Sequence, residues 1–385
     1  MEIKKLSVEH YDELLVVLNT TFSHKRGFKV DFERELPKMW VRDDVHMKCH
    51  IGAFEDGKLC AVVGVYPLHV KIGGEEFLFA TTGNVATLPE YEGRGFMNAL
   101  FTEAMKELEV MGADGARLGG DRQRYARFGY EGCGLLFRFQ MTEKNRIRFY
   151  KNYRDDVVFE QVGRENTEYL KFIMDISNKQ EIHVERYPEE NYRDVYLVLH
   201  SKAKIPYIAI RNGEPIGYLC ASDTGSEIAE MRAVDCTAMV DMVCSWQKRC
   251  NESIGFGLAP YKVEEARIFA AGCNTYTITW PSRFKIINWV KVLDALMKLK
   301  LTCEPLPEGA FYMGIEGYGT VKLYVQDGKA GCEKADEEKP EVSLSSLDVS
   351  RVLFGPLPTY TVIDLPALAR TWLPLPLTWD FLDVV

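Results

Sequence analysis

The residues Glu92-Gly93-Arg94-Gly95 stand between two runs of opposite character. Before them, Thr81 to Leu88 is rich in β-branched and small residues and reads as a strand, which Pro89 ends because it has no N–H to donate to a ladder. After them, Met97, Leu100, Phe101, Ala104, Met105, Leu108 and Met111 recur at helical spacing, and Gly112 stands where a C-terminal glycine stop belongs. The stretch is therefore strand, glycine turn, helix. The first N–H groups of a helix have no internal partner, and the helix dipole adds partial positive charge there. Glycines let the backbone approach a ligand closely. The natural occupant is a phosphate or pyrophosphate. An ordinary strand–loop–helix turn has the same pattern, so the turn alone does not decide.

Other chemistries find less support. His46 and His50 have the outer spacing of a zinc-protease helix, but Met47 occupies the position of the general-base glutamate and His50 opens a predicted strand. His183 and His200 are too far apart to suggest a metal. Cys244 and Cys250 share a predicted helix without a common ligand spacing. The ten cysteines contain no C-x-x-C pair, which argues against structural zinc and for reduced thiols. No Ser–His–Asp or Cys–His set stands out.

The run V-A-T-L-P-E-Y-E-G-R-G resembles the acyl-CoA motif of the GCN5-related N-acetyltransferases (GNAT), Gln/Arg-x-x-Gly-x-Gly/Ala, which falls here on Glu92, Gly93, Arg94, Gly95, Phe96 and Met97. Glu92 replaces the usual basic or amide residue, and Met97 the last small one. A second segment, Gly119-Gly120-Asp121 through Tyr125-Ala126-Arg127-Phe128-Gly129-Tyr130, is similar to the fourth conserved segment of the family through Y-x-x-F-G-Y. The resemblance implies acetyl-CoA as cosubstrate, with no metal. It implies a cofactor site of Val85, Ala86, Thr87, Gly93, Arg94, Gly95, Phe96, Met97, Asn98, Gly120 and Asp121. It also implies direct acetyl transfer to a primary amine, with Tyr125 protonating the departing thiolate and Tyr130 a weaker candidate. A phenol of pKa about 10 suits that task.

The elements that must position these groups follow in order. Residues 7 to 22 read as a helix capped by Ser7, and Asp56-Gly57 centres a hairpin from His50 to Pro67. Gly73-Gly74 marks a turn before a strand from Phe77 to Leu88. Residues 165 to 300 repeat this order faintly: a helix from Glu165 to Asn178, a hairpin at Asn212-Gly213, a strand from Ile228 to Val234, and a helix through Cys250. From Ser226 to Ile254 there is no glycine, so this copy lacks a phosphate-cradling turn. Ser282 to Leu299 has the apolar periodicity of a helix. Beyond about residue 301, Gly328 and Gly331 mark turns between short strands, Glu333 to Glu341 forms an exposed loop, and Ser343 to Phe354 reads as a capped helix.

The length of 385 residues predicts two or three domains. Taken whole, the chain resembles the three-domain Eis-like bacterial group of the family. That implies an α/β (α+β) protein with a GNAT fold at 1–145, a second, degenerate GNAT-like fold without a cofactor motif at 146–300, and a sterol-carrier-like domain at 301–385. The first strand run, Phe77 to Pro89, holds no carboxylate for the general base. In the resembled group the chain's terminal carboxylate serves, here Val385, with Asp380 and Asp383 as fallbacks. The group also implies a homo-oligomer, a trimer or hexamer. Composition is 46% hydrophobic and 27% charged, and the net charge of −9 argues against nucleic-acid binding. No apolar run spans a bilayer and no signal-peptide core opens the chain, so the expectation is a cytoplasmic protein with no membrane partner. Small polyamine-like or aminoglycoside-like amines and protein lysines are all expected acceptors. A CoA-sensing or lipid-carrying protein without transferase activity is the alternative.

Overall fold

The computed structural model describes residues 1–188 and 193–383. Its first sheet opens with β1 (Glu2–Lys5), which the sequence reading passed over. Then come α1 (Tyr11–Arg26), the short α2 (Phe32–Glu35) and α3 (Asp44–Met47), and strands β2 (His50–Glu55), β3 (Lys58–Ile72) and β4 (Glu75–Thr87). Both turns between these strands hold positive φ where the sequence places Asp56-Gly57 and Gly73-Gly74. Helix α4 (Phe96–Met111), ending on Gly112 at φ +68°, crosses over to β5 (Gly115–Leu118). The five-residue α5 (Arg122–Ala126) leads to β6 (Glu131–Cys133), β7 (Leu136–Met141) and α6 (Glu143–Phe149).

A second α/β unit follows: β8 (Val158–Gln161), α7 (Thr167–Ser177), β9 (Ile182–Val184), α8 (Val195–Leu199), β10 (Ile205–Arg211), β11 (Glu214–Ala221), β12 (Ile228–Ala233) and α9 (Cys236–Cys250). It ends with β13 (Ile254–Leu258), α10 (Val263–Gly272) and β14 (Thr275–Thr279). Strands β12-β11-β10-β8 form one sheet and β13-β7-β14 another. The predicted helix from Ser282 to Leu299 is corrected here. Its first turn is a strand, β15 (Ser282–Ile286), and the helix is α11 (Trp289–Cys303). Alternation of buried Ser282, Phe284 and Ile286 with half-buried Arg283 and Lys285 is the period of two that the helical reading overlooked.

Strand β15 inserts between β5 and β6, so the first sheet runs β1-β2-β3-β4-β5-β15-β6, with β9 on the far part of β3. Conversely β7 pairs with β13 and β14 of the second unit. Two strands thus cross a division at residue 145.

The last sheet, β18-β17-β16-β19, comprises β16 (Gly309–Ile315), β17 (Gly319–Gln326), β18 (Lys329–Lys334) and β19 (Val342–Leu344). Helix α11 packs on it, and α12 (Ser346–Phe354) and α13 (Ala367–Trp372) follow. Gly328 sits in the β17–β18 turn, but Gly331 lies inside β18 rather than in a turn. The tail then returns to the first sheet. Leu135 donates to the Leu377 carbonyl at 2.7 Å, and Trp379 lies against Phe79 and Phe284.

Candidate functional site: a split in the first sheet

Strands β4 and β5 are parallel, but they pair only from Phe79 to Thr82 against Gly115 to Leu118. Strand β5 stops there, while β4 runs on to Thr87, still paired to β3. From Gly83 onward the other edge of β4 has no partner strand among the described residues, so the sheet splits open at Val85, Ala86 and Thr87. The opening begins at a bulge: the β3–β4 register shifts between Val62 and Gly64, and Asn84 takes φ +51°. Asparagine tolerates this left-handed conformation better than the β-branched residues around it. It was the sequence signal for the bulge, and sequence reasoning missed it.

The bulge is held by a buried relay. Asn84 Nδ2 donates to the Tyr66 hydroxyl at 2.6 Å, which lies 2.8 Å from His50 Nε2; His50 Nδ1 lies 3.2 Å from the His46 carbonyl. Because the hydroxyl accepts from Asn84, its own proton points to Nε2, and the His50 ring proton sits on Nδ1. Burial pushes the His50 pKa down to about 4, so the ring is neutral at pH 7.

The glycine turn lies at the start of α4. Gly93 and Gly95 have φ of +76° and +85°, and each faces open space. Gly95 is the N-cap and offers no side chain, so no side chain caps α4, and its first turn carries no acidic residue. The backbone N–H groups of Phe96, Met97 and Asn98 are therefore free of a side-chain cap. Arg94 is tied to Glu55 at 2.5 Å, and Arg127 reaches Asn98. Glu92, the unexpected carboxylate of the motif, is half exposed and turns to Lys25 at 3.7 Å. The corresponding helix of the second unit, α9, is different. Asp235 caps it, accepting from Ala238 N at 2.7 Å, so a carboxylate already occupies that anion position.

Tyr125 sits where β5 ends. Gly120, at φ +126°, brings the backbone so near the Tyr125 ring that a Cβ there would come within 2.8 Å of it. Asp121 caps α5 through Gln123 N at 2.9 Å. The Tyr125 ring is buried against Phe101. Burial raises its pKa although Arg124 beside it pulls the other way, so the phenol keeps its proton at neutral pH. Tyr130 is fully enclosed and bonded to Thr82 Oγ1 at 2.8 Å. Val385 lies outside the described residues.

The opposite face of the split carries residues that the sequence reading did not single out. Arg117 on β5 is fully buried; its Nε and Nη2 both reach Ser282 Oγ, at 2.9 and 2.8 Å, and its guanidinium lies 5.9 Å from the Trp379 ring centroid. An arginine within the short strand G-A-R-L was the available signal. Over this face lies the tail. Lys38 Nζ donates to the Leu382 carbonyl, Arg186 holds Asp383 at 3.2 Å and Glu230 at 2.6 Å, and Arg232 holds Asp380 at 2.6 Å. Glu230, Asp380 and Asp383 present oxygens within 4.8 Å of one another, but each is already engaged by an arginine, Arg186 or Arg232.

The first sheet and its helices thus bring a split parallel pair, a glycine-led helix start and a protonated tyrosine into one unit. Residues 2–133 match the acetyltransferase (GNAT) domain family, and the whole chain is similar in fold to Eis-type structures. Similar solved structures span nearly the whole chain. A GCN5-related N-acetyltransferase from Anabaena variabilis superposes with TM-score 0.68 at 16% identity, covering 98% of each chain. Eis1 from Mycobacterium abscessus gives 0.65 at 15% identity over 97% of each. A probable N-acyltransferase from Enterococcus faecalis gives 0.65 at 16% identity over 91% of this chain and 89% of its own. No curated protein matches the sequence. Among the described residues, no helix is long and apolar enough to cross a membrane.

Proposed function

We propose that this protein moves an acetyl group from acetyl-CoA directly to a primary amine. The observation that carries the reading is the coincidence of the open β4 edge, the uncapped α4 start and Tyr125 around one split. The pantetheine arm adds to β4 at Val85, Ala86 and Thr87 as an extra strand would. The pyrophosphate sits on the N–H groups of Gly93 to Asn98, with Arg94 at its side, and Gly120 and Asp121 shape the far wall. A backbone N–H of β4 stabilises the carbonyl oxygen as the amine attacks. Tyr125 protonates the CoA thiolate as the carbon–sulfur bond breaks. The proposed base is the carboxylate of Val385; the anchoring of Leu382 and Asp383 on the acceptor face supports it.

In this reading, residues 1–145 catalyse, 146–300 are a cofactor-free copy, and 301–385 a carrier-like unit, with β7 and β15 exchanged between the first two. The protein works in the cytoplasm as a homo-oligomer. The test is Tyr125→Phe, followed by thiol release from acetyl-CoA and by CoA binding. Turnover is expected to fall at least about 100-fold with CoA affinity kept. Full turnover in the variant overturns the assignment of Tyr125; wild-type protein that binds no CoA overturns the whole reading.

A further inference from the structure

The acceptor face of the split is built of cations and unpaired donors. Thr81 and Arg117 are register partners on β4 and β5, so their side chains share one face of the sheet. Both are buried, and both keep an unpartnered atom, Thr81 Oγ1 and Arg117 Nη1. Trp379, stacked against Arg117, has a buried and unpartnered Nε1 as well. Three neighbouring groups thus offer protons and find no acceptor among the described residues. Buried polar groups in folded proteins are ordinarily paired, so such a cluster calls for a ligand rich in acceptors.

The charges agree. Lys38, Arg117, Arg186 and Lys202 lie close enough to act on one another's protonation. Of the carboxylates near them, Asp383 and Glu230 are both engaged by Arg186, and Asp380 by Arg232. Lys202 makes no hydrogen bond or ion pair to any described residue; Glu35, a carboxylate that acts on it, is already bonded by Arg26 at 2.9 Å. Its backbone is also unusual. Lys202 and Ala203 both take positive φ, +59° and +52°, a conformation that non-glycine residues adopt at a cost. The strained turn sets a lysine near Arg117 and Lys38, and among the described residues no carboxylate bonds to it.

We propose that the acceptor is a small amine that also carries an anionic group, a carboxylate or phosphate, bound by Arg117 and Lys202 beside the split. The inference rests on the N-acetyltransferase reading and names its substrate class. It disfavours polycations such as polyamines, which would bring further positive charge to a face that already has an excess.

The test compares matched amines on the full-length protein: 4-aminobutyrate, butylamine and putrescine, and phosphoethanolamine against ethanolamine. Turnover is read as thiol release, and binding by calorimetry on the protein saturated with CoA. One unmatched charge-assisted hydrogen bond corresponds to about 10- to 100-fold, so the anionic amines should lead by at least about tenfold in kcat/KM. Lys202→Gln should shrink that preference through KM, and Lys202→Arg should restore it. Preference for putrescine over 4-aminobutyrate overturns the proposal. So does a Lys202→Gln variant that lowers kcat for every amine alike, as removal of Val385 would, since the cations then hold the chain's own end. If no amine is acetylated yet 4-aminobutyrate binds over putrescine and Lys202→Gln abolishes this, the transferase reading fails and the anion subsite stands.

Discussion

Lys38 and Leu382, 344 positions apart, are joined by a 2.5 Å hydrogen bond from the lysine Nζ to the leucine carbonyl, in a place closed to solvent. That bond fastens the tail to the loop between α2 and α3 of the first unit, while Arg186 and Arg232 fasten it to the second. The Arg117 face of the split is therefore roofed by residues from three separate stretches of chain.

Lys38→Met separates the latch from general stability. Losing the donor strands the Leu382 carbonyl, at about 1–3 kcal/mol. Against this, burial pushes the Lys38 ammonium down to about 7 despite Asp383 nearby, so the variant also removes an ill-solvated cation. The two effects are similar in size, and the net change in stability should stay under about 1 kcal/mol. The tail, however, should be digested by carboxypeptidase at least about ten times faster, because local opening no longer breaks this bond. Between pH 7 and 10.5 the unfolded chain binds more protons at this site than the folded one, so wild-type stability rises with pH across that window. The variant should flatten the rise. A tail that stays protected in Lys38→Met refutes the latch.

Gly95→Ala tests the glycine turn. Open space surrounds Gly95, so a methyl group meets nothing; the penalty comes from its φ of +85° alone. A left-handed alanine costs roughly 1–2 kcal/mol. Stability should fall by that amount and CoA affinity should fall with it as the helix start shifts. Gly95→Asn, which accepts this conformation more readily, should be milder on both measures. Equal loss in the two variants would mean that the turn tolerates no side chain for a steric reason.

How much of this was legible beforehand follows from the range over which each feature is encoded. The two Asx-Gly hairpins, the glycine turn and the α4 face are local, and sequence spacing found them. The split in the sheet was not legible, since it depends on β5 ending four residues after it starts while β4 continues. The place of β15 was hidden for the same reason: a five-residue strand beside a fifteen-residue helix looks like the start of that helix until its partners, β5 and β6, are known. Lys38, Arg117 and Lys202 read as ordinary surface charges in sequence. Only the return of a tail more than 250 positions downstream encloses Lys38 and Arg117.

His50 sets an acid limit. Its neutral ring accepts from Tyr66 and cannot take a second proton without breaking the relay to Asn84. Its folded pKa of about 4 lies below the ordinary 6.5, so its contribution is full above pH 6.5 and is lost as the pH falls toward 4. At 1.36 kcal/mol per unit, the loss approaches about 3 kcal/mol. His50→Gln, which keeps an acceptor without that titration, should be less stable at pH 7 but show a shallower decline from pH 6.5 to 4 in urea melts. An unchanged slope would assign the acid limit to other groups.

Glu131 on β6 joins α5 to the last unit. Its fully buried carboxylate is bonded by Arg122 at 2.9 Å and by Arg351 of α12 at 2.8 Å. Burial pushes its pKa up, but the two arginines outweigh that and hold it below the ordinary value. Its contribution is accordingly present above pH 4.5 and disappears as the pH falls through the depressed folded value. In Glu131→Gln the charge is gone at every pH. Breaking a fully buried pair costs about 3–5 kcal/mol, but both arginines are over a third exposed and can turn to water, so about 1–3 kcal/mol is the expected loss. Arg122 is the first residue of α5, three positions before Tyr125. Loosening it should therefore lower kcat more than it raises the KM for acetyl-CoA, whose turn at Gly93 to Gly95 belongs to another element. A variant that loses stability while keeping kcat would show that α5 is held in place by the Asp121 cap and the Tyr125–Phe101 packing without help from this bridge.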